Sequence, residues 1–99
     1  MNRYIGMTGH DGTPLIWMND QALSPARAQQ VSNHPGGFAW GYGGAGPSQL
    51  ALALLLEEGI DEKSALSLCQ GFKWAVIANL EDGWTLDSTS IAQALARLR

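Results

Sequence analysis

From Leu50 to Leu56 the chain reads Leu, Ala, Leu, Ala, Leu, Leu, Leu. A helix with no polar face has to be surrounded by the rest of its own protein, so this run predicts a central, buried helix. It is preceded by a glycine-rich, aromatic-flanked turn, Gly37-Phe38-Ala39-Trp40-Gly41-Tyr42-Gly43-Gly44-Ala45-Gly46. Pro47 suits the first helical turn, where its missing N–H costs nothing, and Gly59 stands where a left-handed residue would close the last one. The helix is expected from about Pro47 to Glu58.

A chain of 99 residues makes one domain, 1–99, and can bury a core without disulfides or metal as staples. Hydrophobic residues make up 45% and charged residues 15%, a globular balance. The single Cys69 has no partner for an internal disulfide, which predicts reduced, cytoplasmic surroundings. Asn-Arg-Tyr after Met1 is no signal-peptide core, and no apolar run approaches the roughly 20 residues a bilayer requires. A soluble protein with no membrane partner is expected.

Taken in order, Arg3–Thr8 and Pro14–Met18 predict two strands around an Asp11-Gly12 turn. Asn19-Asp20 predicts another turn, Ser24-Pro25 the start of a short helical turn, and Ala28–Val31 either a strand or a helical continuation. In Phe38–Tyr42 large and small residues alternate, which places Phe38, Trp40 and Tyr42 on one face of an extended segment. A second helix should start with Asp61 as N-cap and run to about Leu80, since Ala65, Cys69, Phe72, Val76 and Leu80 recur at spacings of three and four. Gly71 inside it predicts a kink or a close helix contact. Trp84-Thr85-Leu86 returns the chain, and Asp87 or Ser88 caps a last helix that Arg97 and Arg99 end. Strands first and helices after predict α+β: a small antiparallel sheet, an N-terminal hairpin plus one or two further strands, packed by three helices around the buried central helix.

The formal charge of −3 resides entirely in the second half. Its acids form two clusters, Glu57, Glu58, Asp61 and Glu62, then Glu81, Asp82 and Asp87. A second helix of about 19 residues, near 28 Å, would put them at opposite ends of the domain. With no Lys/Arg run, direct nucleic-acid binding is not expected.

The glycine turn carries the most suggestive pattern. Gly41, Gly43 and Gly46 spell G-x-G-x-x-G, and Gly41 to Ser48 matches a phosphate loop except that Pro47 stands where lysine is required. The lysine is missing, Glu62 begins a helix instead of ending a parallel strand, and the chain is too short for a dinucleotide fold. The glycines are therefore expected to allow positive φ and to let backbone pack against Trp40 or Tyr42. A glycine turn opening a helix can still offer N–H groups to an anion or nucleotide, with Gly43, Gly44, Gly46 and Ser48 as the residues of that alternative. His10 and His34 lack spaced partners, Ser48 lacks the nucleophile-elbow pattern, and Cys69 lies in an apolar stripe. No catalytic residue, cofactor or metal is expected.

The run Asn33-His34, Gly37 through Leu54, then Phe72-Lys73-Trp74 and Trp84-Thr85-Leu86, resembles a small domain family of unknown function found in bacteria, bacteriophages and prophages. Ala39 departs from it, standing where the family has an acidic residue between two aromatics. The resemblance transfers no reaction or cofactor. It implies a mobile-element setting, in which small domains bind and block host proteins, inhibitors of CRISPR effector complexes among them. The expected function is thus a non-enzymatic protein-binding domain, plausibly anti-CRISPR-like, with a protein partner and a surface drawn from Trp40, Tyr42, Glu57, Glu58, Asp61 and Glu62.

Overall fold

In the computed structural model, which describes residues 1–34 and 36–98, the all-apolar run is the axis of the core. Helix α2 (Ala45–Glu57) is buried continuously from Gly46 to Leu56. Pro47 sits in its first turn, and Gly59, at φ 84°, ends it. The N–H of Gly59 reaches Leu56 and that of Ile60 reaches Leu55, which satisfies carbonyls the helix end would otherwise leave open.

A four-stranded antiparallel sheet packs against this helical layer. Strands β1 (Arg3–Thr8), β2 (Pro14–Met18), β3 (Gln21–Ala22) and β4 (Trp84–Asp87) stand in the order β3-β2-β1-β4. Between β1 and β2, the Asp11 carboxylate accepts from the Thr13 N–H at 3.0 Å and Gly12 takes φ 84°. Between β2 and β3 the two turn residues, Asn19 and Asp20, both have positive φ (51° and 70°). That is the two-residue turn whose twist matches a hairpin, and Asn and Asp tolerate it better than most side chains. Cross-strand pairing sets Tyr4, Gly6, Ile16 and Trp84 on the inner face and Arg3, Ile5, Met7, Leu15, Trp17, Thr85 and Asp87 on the outer one.

Helix α1 (Ala26–Val31) resolves the ambiguous segment as helical, with Ala28 buried. Helix α3 (Glu62–Ala75) begins at an Asp61 cap, whose carboxylate accepts from the Ser64 N–H at 3.0 Å. It stops five residues short of Leu80, because the backbone leaves the helical region at Val76 and tightens into a 3-10 turn at Ile77–Asn79. Gly71 does not interrupt α3. A Cβ there would lie 3.4 Å from Leu98, so the glycine marks a close contact with helix α4 (Ser88–Leu98). Asp87 caps α4 through the Ser90 N–H at 2.8 Å. Arg99, expected to end that helix, lies outside the described residues, as does Pro35.

The architecture is α+β, with one short helix beyond the three expected. A further local expectation fails. Phe38–Tyr42 forms no strand, because Gly41 at φ 86° breaks the alternation. Phe38 and Trp40 therefore pack on the core, Trp40 edge-on to Trp84 with ring centroids 5.7 Å apart, while Tyr42 turns outward.

Candidate binding surface

Each glycine of the turn has a separate steric reason. Gly41 is the one in the Gly41–Gly46 stretch with positive φ, and its N–H donates to the Ile77 carbonyl at 3.0 Å. Gly43 and Gly44 have ordinary φ but lie under aromatic rings. A Cβ on Gly43 would fall 2.0 Å from the Trp74 ring, and one on Gly44 would fall 2.4 Å from the Tyr42 ring. On Gly46 it would meet Ala39 at 2.7 Å and the Gly37 carbonyl at 3.0 Å. The rings that need glycine beneath them are thus Tyr42 and Trp74, and Trp40 has no such contact with the turn.

Tyr42 is 55% exposed and Trp74 is 60% exposed, although both are seated on backbone. Below them lies Lys73, only 5% exposed. Its ammonium donates to the Gly43 carbonyl at 3.1 Å and sits 4.7 Å from the centre of the Trp74 ring. A lysine ammonium has three donors, and the carbonyl takes one. No acidic residue stands in the first turn of α2, so the positive pole of that helix and the Lys73 cation share one end of the molecule. A lysine from α3 therefore stands beside the turn, bonded to its backbone.

The four residues of the anion-binding alternative divide. Gly43 and Gly44 border the surface, whereas Gly46 and Ser48 are buried. The Ser48 hydroxyl donates to the Gly44 carbonyl at 3.2 Å and accepts from Gln70 Nε2 at 3.1 Å, which turns it inward. Burial pushes the Cys69 thiol above its ordinary pKa and so keeps it protonated.

The acids expected to bind, Glu57, Glu58, Asp61 and Glu62, lie at the other end of α2, about 20 Å away along a helix of this length. Glu58 is tied into the fold. Its carboxylate accepts from the Tyr4 hydroxyl at 2.6 Å and from Asn2 Nδ2 at 2.9 Å. Burial opposes that charge, but the hydrogen bonds from Tyr4, Asn2 and Ser88 outweigh it and hold Glu58 below the ordinary glutamate pKa. For Tyr4, burial first, then the bond to Glu58 and its charge, push the phenol well above its usual value. Asp61 caps α3 and Glu62 is exposed in its first turn, while Glu57 is half-buried. The second cluster also splits, contrary to expectation. Asp82 accepts from the Thr8 N–H at 2.6 Å at one end of β4. Asp87 stands across from Arg3 at the other end, next to Ser88, which hydrogen-bonds Asn2 and thereby joins the Glu58 network.

Of the residues expected to bind, the structure therefore exposes Tyr42, packs Trp40 inward and sets the four acids apart from both. Trp74 and Lys73 were missed. Lys73 follows Cys69 by four, on the apolar stripe of α3, and a lysine on such a stripe needs an acceptor nearby. His34 donates its backbone N–H to Gln49 Oε1 at 2.8 Å, and its Nδ1 lies 2.7 Å from the same oxygen. Among the described residues no group of three or more His, Cys, Asp or Glu comes together, and no helix is long and apolar enough to cross a membrane.

A family model described as a family of unknown function (DUF6166) matches residues 4–97. No curated protein and no solved structure matches the chain.

Proposed function

From the premise that the chain belongs to this family of unknown function, DUF6166, we propose that it is a non-enzymatic protein-binding domain that engages its partner through Tyr42 and Trp74. The supporting observation is that two large aromatic side chains are held more than half exposed by glycines directly beneath them. Trp and Tyr offer a large contact area with few rotatable bonds, and they are enriched among the few residues that carry binding energy. The Lys73 cation and the N-terminus of α2 put positive charge behind the two rings, which favours a partner segment with a carboxylate beside apolar side chains. The acids at the far end of α2 act on encounter rate and salt dependence. The bacterial and phage setting implied by the resemblance makes a bacterial defence complex, such as a CRISPR effector, the first partner to try.

The test is capture from bacterial lysate, with and without nuclease, by the wild-type chain and by the Tyr42→Ala/Trp74→Ala double variant. A protein retained after nuclease treatment and lost with the double variant, at unchanged melting temperature, is the expected result. Equal capture by both chains would overturn the assignment.

The Lys73 ammonium beside Gly43 favours one second reading, a small anion at the same turn. Phosphate, ATP and NAD distinguish the two, because a ligand at 100 times its dissociation constant adds about 2.7 kcal/mol of stability. Protein binding predicts no shift. A saturable rise in melting temperature that disappears in Lys73→Met would move the assignment to the anion.

A further inference from the structure

The adjacent strands β1 and β2 carry apolar side chains on both faces of the sheet, yet the helices cover only one. On β1 the inward Tyr4 alternates with outward Ile5 and Met7, and on β2 the inward Ile16 alternates with outward Leu15 and Trp17. Strands that face water on one side normally alternate apolar with polar, and near-continuous apolar runs belong to strands covered twice. On the outer face Met7 is 43% exposed, Leu15 38% and Trp17 39%. A groove of about 670 Å³ runs over this face, and Arg3, Ile5, Met7, Trp17, Asp20 and Asp87 are among its walls.

We infer that a second copy of this chain covers the outer face of the sheet. The charges decide between a second copy and a different protein. Arg3 shares the groove with Asp20 and Asp87, so the face carries both signs and complements itself better than it complements a uniformly acidic or basic partner. The register supplies the fit. Ile5 lies opposite Trp17 and Met7 opposite Leu15 within one sheet, while the Arg3 backbone N–H donates to Asn19 Oδ1 and sets Arg3 beside that turn. A two-fold axis along the strands, between β1 and β2, would stack β1 of one copy on β2 of the other, with the sheets about 10 Å apart. Ile5 then meets Trp17 of the second copy, Met7 meets its Leu15, and Arg3 meets its Asn19-Asp20 turn. The strands hold 6, 5, 2 and 4 residues, and at about 3.3 Å along and about 4.8 Å across for each residue they give a footprint of roughly 270 Å². That is well below the about 800 Å² per partner of a standard stable interface, so the dimer is reversible and concentration-dependent. It leaves Tyr42 and Trp74 uncovered and would present two copies of the aromatic turn to a target.

Sedimentation equilibrium on the untagged chain, from micromolar to millimolar concentration, tests this. The mass should rise from one chain toward two and stop there. Trp17→Glu should hold it at one chain with an unchanged circular dichroism spectrum. Arg3→Glu alone and Asp20→Lys alone should each remain monomeric, and an equimolar mixture of the two should recover the dimer, since opposite charges then meet at both contacts. A monomer at every concentration, growth beyond two chains, a dimer indifferent to Trp17→Glu, or a mixture that stays monomeric would each overturn the inference. Because capture through Tyr42 and Trp74 is measured separately, failure of the dimer leaves the proposed function standing, and the reverse holds.

Discussion

Gly6 in the sheet and Gly43 in the turn are both roofed by a tryptophan. A Cβ on Gly6 would come within 2.2 Å of the Trp84 ring, and one on Gly43 within 2.0 Å of the Trp74 ring. The steric demand is equal, but the surroundings are not. Trp84 is buried, stacked edge-on against Trp40, and its Nε1 has no hydrogen-bond partner among the described residues, so the core holds it by shape alone. Trp74 has solvent beyond it and can swing away. The same contact therefore maintains the fold in one place and, in the other, sits beneath the exposed side chain proposed to bind. What separates the two roles is whether the ring has anywhere to go.

The comparison breaks first at Gly6. Gly6→Ala should cost about 3 kcal/mol, since overpacking a closed core typically costs 1–3 kcal/mol and this ring has no exit. That corresponds to a fall in melting temperature of roughly 12–24 °C for a domain of this size, readable by calorimetry. Equal losses for Gly6→Ala and Gly43→Ala would end the distinction.

The core side of the comparison also has a pH signature, at the junction where Tyr4 meets Glu58. Glu58 has a folded pKa below the ordinary glutamate value of 4.5, so its contribution is complete above that pH and is lost as pH falls. Tyr4 has a folded pKa above the ordinary tyrosine value of 10.0, so its contribution is complete below that pH and is lost as pH rises. Urea midpoints should therefore be flat between these limits and fall on both sides. Glu58→Gln should lower stability by about 2 kcal/mol at neutral pH, the scale of a hydrogen bond to a charged group, and should flatten the acid limb. An unchanged acid limb in that variant would remove Glu58 from the account.

Gly41 tests backbone in place of side-chain contact. Its φ is 86°, and a Cβ there would stand 3.2 Å from the Leu80 carbonyl oxygen, so Gly41→Ala should cost about 1 kcal/mol. Chemical denaturation resolves that, and a neutral result would show that the turn can relax.

Gly43→Ala should have the smallest effect on stability, within about 0.5 kcal/mol, as for surface changes outside special features. It should still displace the Trp74 indole resonance in a ¹H–¹⁵N spectrum and weaken capture of a partner. A large stability loss would mean that Trp74 is locked and belongs with Trp84.

Local chemistry was legible in the chain. The Asp11-Gly12 and Asn19-Asp20 turns, the Asp61 and Asp87 caps, Gly59 at the end of α2 and both hairpin strands each depend on residues a few positions apart, where propensity, turn dihedrals and capping act. The buried helix was legible because seven consecutive apolar residues leave no face for water. Three expectations failed where a distant contact overruled a local pattern. Phe38–Tyr42 alternates like a strand, but Gly41 is bonded to Ile77, and the segment bends to place Trp40 on Trp84. The apolar spacing of α3 runs on to Leu80, yet the backbone turns at Val76. The two acidic clusters were separated by one helix length, yet β4 returns beside β1 and carries Asp87 to the Asn2–Glu58 corner.

The sequence by itself determined the N-terminal hairpin, the starts of α3 and α4 and the identity of the core helix, since each follows from periodicity and from short-range hydrogen bonding. Tertiary structure alone decided the candidate site. Lys73 lies thirty residues after the Gly43 carbonyl it bonds, and the exposed Trp74 covers Gly43 only because the C-terminal end of α3 reaches the glycine turn. No local pattern encodes that approach. It results from burying α2 on every side, which obliges the neighbouring helix to pack along it and brings the end of one to the beginning of the other.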